Sequence, residues 1–515
     1  MSNATANEVE LPAVTNEEDT LDIEDEDVSF PDIEVDPEQE YKATELKILS
    51  CVKPHMIAFH IAWIGFFMAF LAWFAVAPLL PVIKKDLKLS KNDIFDSNIA
   101  SVTATVLTRF IVGPLCDTFG ARRIFAALLV IGAVPTFFLG TIKTATDLII
   151  IRLFIGIIGG AFVCTQHWTS CMFAKNVVGT ANATAGGWGN LGGGVTQIFM
   201  IGIWLAISKA TDEEQAWRIS FVVPAALTLL AAGAVYFLAQ DTPLGDQVAA
   251  KLPKEAHVNS RERAKSLDSN DGERRLSYTS EEIQESLNQS MLSSMGIWSN
   301  SAAWILFLHY AMCFGVELTM NNVAATYFVN KYDLTPATAG GIASLFGLMN
   351  LFARSLGGIL SDYAFNNYGM AGRLWTQMFT MIFEGGFMLV FSRMINLSGS
   401  IAALIFFSVM VQMSEGSTYS LVPSVKPSEK GAVSGIVGAG GNVGAVAWGM
   451  LFRFGGNTMD KNFETIGIIV IISSLLTPFL RLEGYGEWEI LNIRSNQKGD
   501  PVPKSLEEVS MDVGA

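Results

Sequence analysis

Long apolar runs recur along this chain of 515 residues, and they limit its possible folds more than any other feature. A helix that crosses the hydrocarbon core of a bilayer needs about 20 largely apolar residues. Half of the residues are hydrophobic and only 16% are charged, which lies outside the range of soluble globular domains. We therefore predict an all-α membrane protein with twelve transmembrane helices. The approximate limits of these spans are 57–80, 95–115, 122–142, 148–171, 181–207, 218–239, 300–328, 337–360, 372–392, 400–421, 431–452 and 464–482.

The polar segments around these runs define the expected domains. About 55 polar residues separate the sixth run from the seventh, so the spans fall into two groups of six. Residues 1–41 contain fifteen Asp or Glu and no Lys or Arg, a composition typical of a disordered tail. The expected division is an acidic disordered cytoplasmic tail (1–54), an N-terminal six-helix bundle (55–240), a cytoplasmic linker loop (241–298), a C-terminal six-helix bundle (299–483) and a cytoplasmic C-terminal tail (484–515).

Basic residues in the loops indicate the orientation of the spans. Lys and Arg are concentrated on one side, in the central loop and at Arg122, Lys175, Arg373 and Lys426, whereas the opposite loops are poorer in them or balanced by acids. Since cytoplasmic loops carry an excess of Lys and Arg, this side is predicted to be cytoplasmic, together with both termini.

The two halves contain related sequences. "RFIVGPLCD" from Arg109 and "RSLGGILSD" from Arg354 share Arg, Gly and Asp at an offset of 245. "GTANATAGGWGNLGG" and "GAVSGIVGAGGNVGA" align without gaps at an offset of 252, which pairs Gly186 with Gly438 and Asn190 with Asn442. Two parallel six-helix repeats are similar to the internal symmetry of the major facilitator superfamily.

The segment "GPLCDTFGARR" resembles the cytoplasmic signature of the same superfamily. Its residues are Gly113, Asp117, Gly120, Arg122 and Arg123, and a degraded second copy runs from Gly358 through Asp362 to Arg373. We expect these residues to form a charge latch between helices that biases the conformational exchange, and we assign them to gating rather than to substrate binding.

Two arginines are predicted to lie near the middle of the membrane. Arg109 precedes Asp117, at the cytoplasmic edge, by eight residues, which places it about 12 Å into a core about 30 Å thick. Arg354 lies at the equivalent depth of the second half. An arginine there costs at least about 2.5 to 3.5 kcal/mol on insertion scales, so both should face the bundle interior.

The charges of these two arginines can be balanced in two ways. Each can pair with an acid on another helix, for which the intramembrane candidates are Glu317, Glu384 and Glu415. Alternatively, both bind one anionic ligand, and a guanidinium fork suits a planar oxyanion because it offers two parallel hydrogen bonds. The symmetric placement of Arg109 and Arg354 favours the shared anion.

The glycine-rich stretch "AGGWGNLGGG" is predicted to form a tightly packed helix face. Gly186, Asn190 and Gln197 share one side of a helix, and small residues there let a neighbouring helix approach closely. Helix packing alone accounts for the glycines, but not for a buried asparagine that recurs as Asn442. Both asparagines and Gly186 are therefore candidate substrate contacts.

Longer motifs carry a resemblance to a known family. "AGGWGNLGGGVTQ" and "GIVGAGGNVGAV" resemble the paired signatures of the nitrate/nitrite porter family. "FVCTQHWTSCMF", "GVELTMNNVAATYF", "FGLMNLFARSLGGILSD", "GMAGRLWT" and "LVPSV" are similar to the high-affinity nitrate transporters of plants and algae. The resemblance covers about residues 55–485 and implies a multi-pass plasma-membrane nitrate importer, with nitrite as a further substrate. It also implies that a small accessory membrane protein is a partner to test.

The resemblance also implies roles for particular residues. Arg109 and Arg354 would clamp the nitrate, Asn190 would contribute, and aromatic side chains would sandwich the flat ion. Tyr310 matches the aromatic residue of the family in the seventh span. Phe162 and Phe74 are aligned less securely.

Importing an anion into a negative interior requires a driving force. The cost is about 2.3 kcal/mol per 100 mV; one proton cancels the charge and a second makes import electrically favourable. Since nitrate stays ionised, the protein must carry the protons. Glu317 is preferred because it follows Tyr310 by seven residues on the same helix face, and His167 and Glu415 are further candidates. Arg152 either takes part in proton coupling or extends its side chain to the membrane–water interface.

Other functions receive less support from the sequence. Nothing resembles a nucleophile with its base or a phosphate loop, so we do not expect an enzyme or a cofactor, nor a nucleic-acid partner. The five cysteines lack metal-ligand spacing, so no metal is expected. A nitrate/nitrite exchanger and a non-transporting nitrate sensor remain alternatives. "RRLS" makes Ser277 a candidate phosphorylation site in the central loop.

Overall fold

The structure is a computed structural model, and it describes residues 30, 32–245, 292, 296–454 and 456–493. The candidate phosphorylation site Ser277 lies outside these residues. A two-stranded antiparallel hairpin, β1 (Val35–Asp36) and β2 (Lys42–Ala43), precedes the helices. The helices are α1 (His55–Phe74), α2 (Leu80–Asp86), α3 (Lys91–Phe119), α4 (Ala121–Phe138), α5 (Ala145–Gly156), α6 (Ala161–Met172), α7 (Val178–Ile207), α8 (Glu213–Ser220), α9 (Val222–Leu238), α10 (Ser301–Tyr332), α11 (Pro336–Leu348), α12 (Ala353–Arg393), α13 (Leu397–Val425), α14 (Lys430–Phe454) and α15 (Met459–Ser474).

The helices agree with the predicted membrane spans. In the described ranges, eleven helical stretches are long and apolar enough to cross a membrane. One of them, Thr338–Arg393, has 56 residues and contains two predicted spans. Gly369 divides them, because its backbone leaves the helical region at φ 67° and ψ −158°. The eleven stretches therefore correspond to twelve spans.

Close contacts between glycines join the two halves. Helix α3 packs against α14, and α7 packs against α12 and α13. A side chain on Gly113 would collide with the backbone carbonyl of Gly431, and one on Gly358 with the carbonyl of Gly179. These two contacts are related by the sequence repeat, so the repeat has a structural counterpart at the interface between the halves.

Part of the predicted acidic tail, residues 1–54, is folded where the structure describes it. The prediction of disorder is wrong for residues 32–54, which form the β1–β2 hairpin and pack onto the turn between α6 and α7. The amide of Ala174 donates to the carbonyl of Ala43 at 2.9 Å, and Ile33 is buried. Scattered apolar residues supply this packing surface, which the charge density of the segment concealed.

The segments that follow each bundle also pack against it where they are described. Trp375 on α12 donates from Nε1 to the carbonyl of Ile490 at 2.9 Å, within the predicted C-terminal tail, and the side chain of Ile490 is buried. At the start of the predicted linker, the buried Asp241 accepts a hydrogen bond from the backbone amide of Arg122 at 2.8 Å. The folded bundles therefore extend beyond their predicted limits.

Candidate anion-binding site

Two interrupted membrane helices position the centre of the molecule. A 3-10 turn, Ile157–Gly160, separates α5 from α6, and another, Met349–Leu351, separates α11 from α12. Irregular backbone is tolerated at membrane depth where it is buried in protein or lines a cavity, and broken helices often carry binding sites. The first break supplies a carbonyl to Arg109 through Gly159, and Arg354 lies just after the second.

Arg109 carries a charge that no neighbouring acid balances. Its side chain is completely buried on α3. Nε donates to the carbonyl of Gly159 at 3.1 Å, and Nη1 donates to the carbonyl of Gly438 at 2.5 Å. Nη2 has no hydrogen-bond partner among the described residues, and none of their carboxylates lies within 4.0 Å of this guanidinium. One buried N–H direction is therefore available to a ligand.

Arg354 is also completely buried, but it has an acidic partner. Nη1 lies 2.5 Å from Oε2 of Glu415 on α13, and Nη2 donates to the hydroxyl of Tyr310 on α10 at 2.9 Å. For this arginine, the structure shows the first alternative, an acidic partner on another helix. The pairing depends on how α12 and α13 are rotated against each other, which the sequence of either span does not reveal.

The glycine-rich helices contact the arginines across the interface between the halves. A Cβ atom on Gly186 of the first half would lie 3.0 Å from Nε of Arg354. Gly438 of the second half binds Arg109 through its carbonyl, and its Cβ would lie 3.5 Å from Cδ of that arginine. Each half thus supplies one arginine, and it also supplies the glycine against which the arginine of the other half packs.

Aromatic rings fill the space between the two guanidinium groups. Phe162 and Tyr310 are parallel, with centroids 5.9 Å apart and planes at 8°. Phe314 is parallel to both rings, 5.2 Å from Tyr310 and 6.4 Å from Phe162. The guanidinium carbons of Arg109 and Arg354 lie 5.1 and 5.5 Å from the Phe162 centroid. A flat ion held between two rings needs about 7 Å between the ring planes, twice the ordinary contact distance. Phe162 and Tyr310 are closer than that, so the space between them is too narrow for such an ion in this conformation.

The sequence identified part of this aromatic group. Phe162 and Tyr310 were predicted, whereas Phe314 and Tyr419 were not. Phe314 could have been found, because it follows Tyr310 by one helical turn. Phe74 lies elsewhere: it is half-buried at the end of α1, and its ring contacts are with Phe70 and Trp73.

Two buried asparagines lack partners. Asn190 and Asn442 follow Gly186 and Gly438 by four residues, so each lies one turn farther along the same helix face. Both are more than nine-tenths buried, and their amide oxygen and nitrogen atoms find no hydrogen-bond partner in the described part of the chain. Because buried polar groups are normally bonded, these two amides point to a ligand or to water.

Two of the three predicted proton carriers meet beside Arg354. Glu317 on α10 accepts from Nδ2 of Asn350 at 2.5 Å, whereas Glu415 is held by Arg354. The two glutamates interact electrostatically with each other. His167 lies apart from this pair, with Nδ1 3.5 Å from Asp117.

The predicted gating residues close one end of the bundle. Asp117 accepts from the amides of Gly431 and Ala432 at 2.8 and 2.7 Å, where α14 begins. Asp362 accepts from the amides of Gly179 and Thr180 at 3.1 and 2.5 Å, near the start of α7. Each half thus contributes an aspartate to a helix N-terminus of the other half, where a negative charge is favourable.

The remaining gating residues lie beside these two aspartates. Arg373 donates to Asp362 at 2.5 Å and to the carbonyl of Lys175 at 2.8 Å, so it also joins the halves. Gly120 adopts a positive φ of 86° against Asp241, which binds the amide of Arg122. Arg123 is exposed on the same turn. We refer to Asp117, Asp362 and their cross-half contacts as the latch.

Burial along the two glycine-rich helices is greatest near the latch. On α7, residues 178–187 are buried except for the half-buried Thr180, whereas Gly194, Val195, Gln197 and Ile198 are exposed. Helix α14 is likewise buried from 431 to 442 and partly exposed beyond. The latch end is therefore closed.

Arg152 is buried at the end of the molecule opposite the latch. It is 8% exposed and donates from Nη1 to Ser97 and Asn98 on α3. The alternative that it reaches out to the membrane interface is therefore wrong, and its link to coupling stays untested.

Comparisons with known proteins agree on a transporter fold. Residues 62–449 match the Major Facilitator Superfamily. The "High affinity nitrate transporter 2.5" of Arabidopsis thaliana is 40% identical over 438 residues, which cover 85% of this chain and 82% of that protein. "Nitrate transporter 2.2" of Chlamydomonas reinhardtii is 34% identical over 457 residues, 87% of this chain and 84% of that protein. The solved structure of the proton:xylose symporter XylE has a TM-score of 0.61 at 13% identity and matches 84% of this chain and 98% of that one, a likeness of fold alone.

Proposed function

The chain belongs to the major facilitator superfamily, and from that premise we propose that it imports nitrate across the plasma membrane together with protons. The predicted fold, a multi-pass helical transporter and not an enzyme, is confirmed by that match, and the resemblance to plant and algal nitrate transporters is confirmed by the relatives. The names of those relatives support nitrate as the substrate.

The observation that carries the proposal is the uneven pairing of the two central arginines. Among the described residues, Arg109 has a free N–H and no acidic partner, whereas Arg354 is held by Glu415. When either Glu317 or Glu415 holds a proton, two positive charges face one negative charge. The cluster then keeps one buried positive charge, which a single monovalent anion neutralises.

The surroundings of the cluster suit nitrate in particular. Nitrate is flat and weakly hydrated, so ring faces such as those of Phe162 and Tyr310 match it better than a shell of amides does. Arg109, Asn190 and Asn442 offer N–H groups at the edge of such an ion. Nitrite shares the charge and the planar shape, and we propose it as a second substrate.

Proton coupling follows from competition for Arg354. The carboxylate of Glu415 occupies the N–H that a bound oxyanion needs for a two-point contact. Protonation of Glu415 removes its charge and releases the guanidinium, so nitrate binds after a proton. When nitrate leaves on the other side, Glu415 loses its proton and returns to Arg354. Nitrate and proton thus move together.

Alternating access uses the latch. The loop charges predict that the latch end faces the cytoplasm, so the latch closes that side in the described conformation. In the proposed cycle, nitrate and protons enter from the outside, the latch then separates, and the outer ends of the halves close. The latch holds its two helix N-termini until that step.

One experiment tests the proposal. The chain is expressed in voltage-clamped oocytes, and nitrate-evoked current and uptake of ¹⁵N-labelled nitrate are recorded against external pH. We expect inward current that grows as the external solution is acidified. Uptake without current that requires internal nitrite would indicate an exchanger, and binding without uptake would indicate a sensor. Current only after co-expression of a small membrane protein would identify the accessory partner.

A further inference from the structure

Another acidic side chain, besides Glu317 and Glu415, is buried in the C-terminal half. Glu384 lies in the part of α12 beyond Gly369 and is completely buried. Neither of its carboxyl oxygens forms a hydrogen bond with a described residue, and no cationic side chain of the described residues lies within 4.0 Å of them. Glu415 has Arg354 as a counter-ion, so the two glutamates are in different electrostatic environments.

Three groups on other helices interact electrostatically with Glu384. They are Ser414 and Glu415 of α13 and Cys313 of α10. On the α15 side, the adjacent Gly385 packs against the backbone of Gly467 and the side chain of Ile471. The titratable neighbours are thus a thiol and another acid, and neither balances a negative charge.

Glu384 therefore carries a proton in this conformation. An ionised carboxylate without a cation is far more costly to bury than a neutral carboxyl group, and membrane interiors impose this penalty fully.

We propose that Glu384 is the second proton-binding residue of the transport cycle, separate from the anion. This inference rests on the proposed symport of nitrate with protons. The Glu317–Glu415 pair holds the proton that compensates the charge of nitrate. Glu384 holds the proton that gives each cycle a net inward positive charge, and it releases that proton when the latch end opens.

The test measures charge moved per nitrate. Current and ¹⁵N-nitrate uptake are recorded in the same clamped oocytes for the wild type and for Glu384→Gln, which resembles the protonated acid in shape but cannot release a proton. The wild type is expected to move about one charge per nitrate. In the variant the ratio should fall to about zero while acid-stimulated uptake continues. Glu384→Asp, which restores a titratable group, should return the ratio to that of the wild type.

Controls separate this inference from the proposed function. Gln412→Met replaces a completely buried, uncharged polar side chain of α13, so it should leave the ratio unchanged. A ratio of one in Glu384→Gln would overturn the role of Glu384 and leave the symport standing, whereas absence of uptake in the wild type would overturn the symport itself. If Glu384→Gln reaches the membrane without net uptake, exchange of external label for internal nitrate decides: continued exchange supports the inference, and its loss contradicts it.

Discussion

Replacing Glu415 by glutamine tests the competition at Arg354. The wild-type carboxylate lies 2.5 Å from Nη1 of that arginine, and nitrate must displace it. A hydrogen bond to a charged group contributes about 1.5–3 kcal/mol, and 1.4 kcal/mol corresponds to a factor of ten in affinity. At alkaline pH, Glu415→Gln should therefore bind nitrate about 10- to 150-fold more tightly than the wild type. The two proteins should converge as the pH falls.

The dependence on pH gives the sharper readout. If one proton must bind before nitrate, the wild-type affinity falls by up to about tenfold for each unit of rising pH. Glu415→Gln cannot lose that proton, so its affinity should stay flat over the same range. Nitrate binding to purified protein, followed by calorimetry between pH 5.5 and 8, measures both slopes.

A surface ion pair provides the control. Glu464 lies 2.7 Å from Arg393 at an exposed site, so Glu464→Gln removes a carboxylate without touching the arginine cluster and should keep the wild-type slope. A slope that persists in Glu415→Gln would show that another group takes up the linked proton. The competition described for Arg354 would then be incorrect.

Four further substitutions have expected outcomes. Arg354→Lys keeps the charge but loses the fork, so uptake should collapse at normal membrane abundance, and wild-type affinity would contradict two-point binding. Gly186→Ala places a methyl group 3.0 Å from that guanidinium and should abolish uptake, whereas Gly194→Ala, with open space around it, should not. Asp117→Asn weakens a cross-half cap worth about 1 kcal/mol, so cysteine reagents applied from the latch side should react faster; an unchanged rate would argue against the latch. Burial, followed by repulsion from Lys430, lowers the pKa of Lys42 to about 8, so its charge opposes hairpin docking at neutral pH and less so as the pH rises. Lys42→Met should slow proteolysis of residues 32–54 at pH 7 more than at pH 9, and equal effects would refute this reasoning.

The repeat in the sequence allowed the centre of the site to be predicted. Arg109 and Arg354 occupy equivalent positions of two related motifs, and membrane depth alone required them to face inward. The gapless alignment of the glycine-rich segments predicted two equivalent asparagines, and the structure buries both Asn190 and Asn442 without partners among the described residues. These features repeat along the chain, so they are visible without a fold.

Features that depend on contact between different helices were not predictable. The pairing of Arg354 with Glu415, and of Glu317 with Asn350, depends on the rotation of helices that are distant in sequence. Tyr419 reaches the aromatic group from α13, where nothing in its local pattern distinguishes it from a packing residue. The same limit explains residues 32–54, whose docking surface is the turn after α6.

The most direct test of the central claim is a cryo-EM structure of the protein determined with nitrate at acidic pH. We expect one planar density between Phe162 and Tyr310, contacts to the guanidinium groups of Arg109 and Arg354, and ring planes separated by about 7 Å. Glu415 should have moved away from Arg354. Nitrate bound elsewhere, or nitrate in place while Glu415 still contacts Arg354, would contradict the account.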